Sequence, residues 1–292
     1  MEWLTLLIGT VLLRPYVFIF LAIYLFIASR QIGWKRTILW TITAYAVAFT
    51  AEFSSIHTGF PFGEYYYIDT TRDRELWIAG VPFMDSLSFS FLTFTGFSCA
   101  WQLVAARRAG NGQPDLTVTR TLRRSPAVLF LGATITTLMD LIIDPVALMG
   151  DRWFLGQIHG WPHGGQYFGV PLTNFAGWFL VTAVTIGVNQ ALDKRFAAPG
   201  AAARSQRRRI PYMHLGGFLL FVFIVAFNLF MTAWLREWVL FFAGLPLALG
   251  FLLISWRILA GRGFLLPHLA GPSVPDIKKL SQEARISEAG QK

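Results

Sequence analysis

The chain has 292 residues, of which 54% are hydrophobic, 16% aromatic and only 14% charged, with a formal net charge of +9. Together with a mean hydropathy of +0.51, this balance excludes a water-soluble fold of this length. The class expected is all-α: a polytopic membrane helix bundle.

Apolar stretches long enough to cross a hydrocarbon core of about 30 Å run over 3–29, 36–54, 84–106, 125–146, 172–192, 212–234 and 238–260. They predict about seven transmembrane helices, within a range of six to eight. The first begins MEWLTLLIGTVLLRPY, with no basic region ahead of the apolar run and no small-residue cleavage pattern, so it reads as a retained helix. Arg14 and Pro15 interrupt it, leaving residues 1–29 as one span or two half-length pieces. Residues 1–267 form one transmembrane domain in this reading, and 268–292 a polar cytoplasmic tail without a fold of its own.

Basic residues alternate between loops. They gather after the first span (Arg30, Lys35, Arg36), after the third (Arg107, Arg108, Arg120, Arg123, Arg124), after the fifth (Lys194, Arg195, Arg204, Arg207, Arg208, Arg209) and in the tail. The intervening loops hold only Arg72, Arg74, Arg152 and Arg236. This is the positive-inside pattern, with the N-terminus outside and the C-terminus cytoplasmic, so the charge reports topology and not a nucleic-acid partner. RSQRRR at 204–209 is also suited to anionic lipid head groups. The single cysteine, Cys99, lies in an apolar span and allows no intramolecular disulfide or thiolate zinc cluster. Internal repeats, phosphate loops and nucleotide fingerprints are absent.

On this topology Glu52 ends the second span, Asp85 begins the third, and Asp140 and Asp144 end the fourth, all near the outer face. Asp140 and Asp144 stand four apart in MDLIIDP, on one face of a helix about one turn apart. Carboxyl groups at such depth are costly and usually face a bundle interior at a functional site. The competing structural readings are an interfacial helix end for Asp144 and Glu52, and a first-turn aspartate favoured by the helix dipole for Asp85. The outer loops 55–83 and 147–171 concentrate glycine, proline, histidine and aromatics, in HTGFPFGEYYYID and QIHGWPHGGQYFGVPLTNFAGW. His57, His159 and His163 invite a metal reading, but Pro162 and two glycines around His163 deprive the four-residue spacing of helical meaning. No metal is therefore assigned. The tyrosines and tryptophans are also explained by an interfacial aromatic belt.

Glu52 followed by Gly59, then PFGEYYY, VPF ahead of the third span, DLIIDP closing the fourth and YFGVPLTNFAGW entering the fifth resemble the carotenoid biosynthesis membrane proteins of the CruF type, the carotenoid 1,2-hydratases. The likeness covers about residues 36–260, and GVPLTNFAGW and TGFPFG are its most distinctive parts. It implies a cofactor-independent enzyme of a prokaryotic cytoplasmic membrane that adds water to the terminal isoprenoid double bond of a linear carotene. Membrane lipid, a long hydrophobic carotenoid, water as co-substrate and other carotenoid enzymes are the partners it implies.

Hydration of an unactivated alkene requires a positioned acid that holds its proton at neutral pH. Two neighbouring carboxyl groups in an apolar site do this, because desolvation and mutual repulsion disfavour the doubly ionised pair. Aromatic faces stabilise the tertiary cation, and a second carboxylate takes the proton of the attacking water. The expectation makes Asp140 the proton donor and Asp144 or Glu52 its partner. Asp85, His57 and Asn174 are further polar contributors, and Tyr65, Tyr66, Trp161 and Trp178 contacts for cation or polyene. Three alternatives stay open: a lycopene-type cyclase, in which an internal double bond captures the cation; a metal-dependent membrane desaturase or hydroxylase; and a transporter or carotenoid-binding protein without catalysis.

Overall fold

The structure is a computed structural model that describes residues 2–108, 121–153, 156–195 and 213–260. Eight helices occur among the described residues: α1 (Glu2–Leu13), α2 (Pro15–Gln31), α3 (Trp34–Thr58), α4 (Phe83–Arg108), α5 (Pro126–Ala147), α6 (Leu172–Arg195), α7 (Gly216–Trp234) and α8 (Trp238–Ala260). The tail 268–292, Arg120 and the basic run 204–209 lie outside the described residues.

By length and hydropathy, α4 to α8 are each able to cross a membrane, and the bent pair α1 and α2 makes a sixth when taken together as one broken span. Six is the lower end of the range expected. The helix α3 is long enough, at 25 residues, but its threonines, serines and Glu52 keep it outside that set. The stretch 3–29 is broken as its Arg14-Pro15 pair suggested: α1 and α2 meet at 88°. Pro15 opens α2 at a position where its missing N–H is harmless, while Arg14 before it is pushed out of helical geometry, with φ −124° and ψ 48°.

At the centre runs α4, packed against α2, α3, α5, α7 and α8. Within its apolar window 94% of the residues are buried, against 22% for the peripheral α8. Small residues permit this. At the crossing of α4 and α5, a Cβ on Gly96 would stand 2.4 Å from the carbonyl oxygen of Gly132, and one on Gly132 would stand 3.3 Å from Phe97 Cα. Such approach replaces side-chain bulk with backbone contact, a common way to bind helices where lipid supplies no hydrophobic drive between them. The hydroxyls of Ser90, Thr93 and Thr95 donate to carbonyls one turn back on α4, so their burial leaves no polar group unpaired. Exposed Phe242, Leu249, Leu253, Ile254 and Trp256 on α8 form the surface expected of a helix facing acyl chains.

Two connections close one end of the bundle. Strand β1 (Tyr66–Tyr67) pairs antiparallel with β4 (His159–Gly160), matching Tyr66 to Gly160 and Tyr67 to His159. Between them in sequence, β2 (Trp77–Ile78) pairs with β3 (Val81–Pro82) across a turn in which Ala79 and Gly80 both have positive φ. The end of α1 is fastened to the same cap: Arg14 forms a buried ion pair with Glu75 at 3.0 Å, and Leu76 N–H donates to Thr10 Oγ1 at 2.8 Å.

Candidate active site

Beneath that cap lies a pocket enclosing about 340 Å³ of empty space including its mouth, lined by residues from four helices and both loops. Its polar side begins on α3, where Ala44, Ala48, Glu52 and Ser55 recur at helical spacing on the buried face. Glu52, 3% exposed, accepts a hydrogen bond from Ser86 in the first turn of α4. Tyr67 Oη lies 2.8 Å from Asp85 Oδ2 and 3.2 Å from Glu52 Oε1, and Tyr65 Oη lies 3.2 Å from Tyr67 Oη. A phenol has one proton to donate. Both carboxyl contacts of Tyr67 are therefore hydrogen bonds only when Glu52 or Asp85 is itself protonated.

A second carboxyl pair contributes Asp144 to the same pocket. Asp140 and Asp144, on the buried face of α5, are bridged by the amide of Asn174, whose Nδ2 stands 3.1 Å from Asp140 Oδ2 and also donates to Asp144 Oδ2. The amide has two N–H groups, one for each acid. Asp140 Oδ1 is buried without a hydrogen-bond partner among the described residues. Asp144 lines the pocket and Asp140 does not; Asp140 sits one turn deeper, at 1% exposure.

Aromatic side chains line the pocket as well. Phe89 and Trp178 stack with centroids 4.1 Å apart at 5°, and Phe62 stands 6.0 and 6.2 Å from them. Trp178 follows Asn174 by one turn of α6, so the motif TNFAGW sets an amide and an indole on one face. Gly177 between them lets the loop come close: a Cβ there would lie 2.5 Å from Phe62 Cδ1 and 2.8 Å from the carbonyl oxygen of Pro61. The TGFPFG turn is held by Gly59, left-handed at φ 76° as the C-cap of α3, and by Phe62 N–H donating to Ser55 Oγ at 3.0 Å. Trp161 and His159 complete the rim, their rings edge to face at 5.1 Å.

Of the residues expected from sequence, Glu52, Asp85, Asp144, Tyr65, Trp161, Asn174 and Trp178 share this pocket. His57 does not reach it; it is exposed and its Nδ1 is 2.7 Å from Phe53 O on its own helix. Tyr66 is 48% exposed. The pocket also contains Tyr67, His159, Phe62 and Phe89, which sequence reasoning did not select as site residues. Strand alternation was the available signal for the tyrosines, since Tyr65 and Tyr67 share a face and Tyr66 takes the other.

Burial, then the charges of Asp85 and Glu52, raise the Tyr67 phenol well above its ordinary value, and Tyr65 is raised in the same way, burial first and Glu52 next. Both remain donors at neutral pH. Burial lowers the His159 imidazole, with Asp144 opposing, so the ring is neutral there. Among the described residues no three His, Cys, Asp or Glu side chains come together to hold a metal ion.

A family model described as carotenoid biosynthesis protein matches residues 1–251. A bisanhydrobacterioruberin hydratase of Haloarcula japonica is 28% identical over 210 residues, which are 71% of this chain and 60% of that protein. The chain thus spans about three fifths of the length of the curated relative it matches. No solved structure matches it.

Proposed function

We propose, from the premise that the chain belongs to the carotenoid biosynthesis protein family, that it hydrates the terminal isoprenoid C=C of a linear carotene in the capped pocket. The observation that carries this reading is the pairing of two carboxyl sets, Asp140 with Asp144 and Glu52 with Asp85, across one aromatic cavity. Two separately hydrogen-bonded carboxyl sets in one partly aromatic pocket suit proton delivery and proton removal in one turnover.

In this mechanism Asp144, and not the deeper Asp140, delivers the proton. Asp140 shares that proton and holds it in reserve, since a neutral carboxyl tolerates its partnerless buried oxygen at lower cost than a charged one. The alkene π pair takes the proton at the less substituted carbon, leaving a tertiary cation beside the stacked Trp178–Phe89 pair and Phe62, where an outer ring face attracts it. Water adds to the cation, and its surplus proton passes to the Glu52 and Asp85 pair, oriented by Tyr67. The sum is alkene plus water giving a tertiary alcohol; no oxidant or reductant enters, and one proton returns through water to restore Asp144.

A pocket of this volume is near the low end for small-molecule sites and takes one end of a long polyene, while the rest runs among the helices in lipid. The cap end faces away from the cytoplasm in this reading, because the arginine-rich ends point the other way, and the enzyme resides in the cytoplasmic membrane beside other carotenoid enzymes. Expression in a lycopene-accumulating bacterium with oxygen-labelled water tests the proposal. Hydration yields pigments heavier by one labelled water per modified end; a product isomeric with lycopene identifies a cyclase, and label arriving from dioxygen identifies a hydroxylase. Either of those products overturns the hydratase reading.

A further inference from the structure

At the other end of the bundle, about 24 Å along α3 from Glu52 at 1.5 Å per residue, three arginines converge on one carboxylate. Arg36 approaches Asp193 Oδ1 at 2.7 Å, Arg123 grips both oxygens through Nε and Nη2, and Arg124 Nε reaches Oδ2 at 2.7 Å while its Nη2 takes the Asp193 carbonyl at 2.9 Å. Arg123 is 5% exposed and lies 5.8 Å over the ring of Trp101. Three positive charges against one negative leave an excess of two at a partly desolvated place, among the described residues.

Burial pushes the Arg123 guanidinium below its ordinary value, with Asp193 pulling the other way, yet a guanidinium stays charged in a protein. Crowded like charges of this kind are stabilised by a further anion. A groove of about 490 Å³ of empty space, open on one side, adjoins the cluster. Its walls are Ile32, Leu39, Trp40, Phe97 and Leu192, and Asn189 and Gln190 complete it. Trp40 is 2% exposed and its indole N–H has no hydrogen-bond partner among the described residues. The groove therefore sets guanidinium donors beside an apolar arm.

We infer that this groove binds the phosphate head of an anionic phospholipid, with Arg36 and Arg124 on the phosphate and an acyl chain along Leu39, Trp40 and Phe97. Arginine forks match phosphate oxygens, and basic pockets between helices at the cytoplasmic interface hold anionic head groups. A free phosphate ion leaves the apolar arm unfilled, so the lipid is the occupant the whole groove fits. The site is separate from the carboxyl pocket and does not depend on which reaction occurs there.

The test uses the full chain purified in detergent and native mass spectrometry after incubation with dioleoyl phosphatidylglycerol, dioleoyl phosphatidylcholine or inorganic phosphate. One phosphatidylglycerol is expected to be retained about tenfold more than phosphatidylcholine. Arg36→Gln removes that preference and leaves Asp193 paired with Arg123 and Arg124, so the fold persists, as an unchanged thermal unfolding midpoint in lipid-free detergent verifies. Leu39→Trp narrows the apolar arm and lowers phosphatidylglycerol retention with the three guanidinium groups intact. Equal retention of the two lipids, a preference that survives Arg36→Gln, or displacement of the lipid by inorganic phosphate at equal concentration overturns the inference.

Discussion

Replacing Tyr67 with phenylalanine isolates the role of one hydroxyl. The ring keeps its edge contacts with Tyr65 at 5.2 Å and Trp77 at 5.9 Å, while Asp85 loses its donor at 2.8 Å and Glu52 its neighbour at 3.2 Å. A hydrogen bond to a charged group contributes about 1.5–3 kcal/mol, and about 1.4 kcal/mol is a tenfold change in rate. On the proposed mechanism, loss of the Asp85 bond in the step that removes the water proton slows turnover about ten- to a hundredfold. The apparent KM stays near that of the parent, because the hydroxyl faces carboxyl groups and not the polyene. Initial rates of alcohol formation in proteoliposomes, resolved by chromatography, measure both quantities. Tyr66→Phe is the control: its exposed phenol serves no acid, and its rate remains within about twofold of the parent. A Tyr67→Phe enzyme as fast as Tyr66→Phe refutes the reasoning, since neither acid would then depend on the phenol.

Three further outcomes follow from the same geometry. Asp144→Asn and Asp140→Asn each lower product formation by about 10²–10⁴-fold at normal protein levels, and full activity of Asp140→Asn removes it from the proton path. Arg14→Met leaves Glu75 buried and uncompensated and costs about 3–5 kcal/mol; adding Glu75→Gln recovers most of this in thermal unfolding, whereas failure to recover dissociates stability from the ion pair. The imidazole of His159 is held below its ordinary value of about 6.5, so between that lowered value and about 6.5 the unfolded chain binds a proton that the native chain refuses. Stability attributable to His159 accordingly rises with pH through that window and is lost as pH falls through it. Unfolding midpoints of His159→Phe depend less on acid pH than those of the parent, and parallel curves contradict this.

Helices were readable because apolar runs of membrane length leave few alternatives, and the break at Arg14 because proline acts on the residue before it. The gathering of Glu52, Asp85 and Asp144 at one end was readable from the alternation of basic loops, which assigns a depth to each helix terminus. What joins them was not. Strands β1 and β4 are two residues each, too short to announce which segment pairs with which, yet their pairing brings Tyr67 and His159 over the acids. From sequence Asp140 is the leading donor because it lies deeper; depth and access are opposed here, since Asp144 and not Asp140 lines the pocket that the loops and α6 enclose. His57 looked equivalent to the other outer histidine residues until α3 continued through it to Thr58 and turned its ring back on Phe53.

The near-complete enclosure of α4 also bears on how such a protein can diversify. A spindle with neighbours on every side has no spare direction in which to enlarge a residue: at Gly96 even a methyl group meets the backbone of α5. Changes that admit a longer, shorter or more polar substrate must then be written on the cap loops and on the pocket faces of α3 and α6, leaving the spindle constant. A library aimed at new substrates would accordingly spare α4 and vary Phe62, Trp161 and Trp178, the aromatic positions that the cap loops and α6 contribute to the pocket.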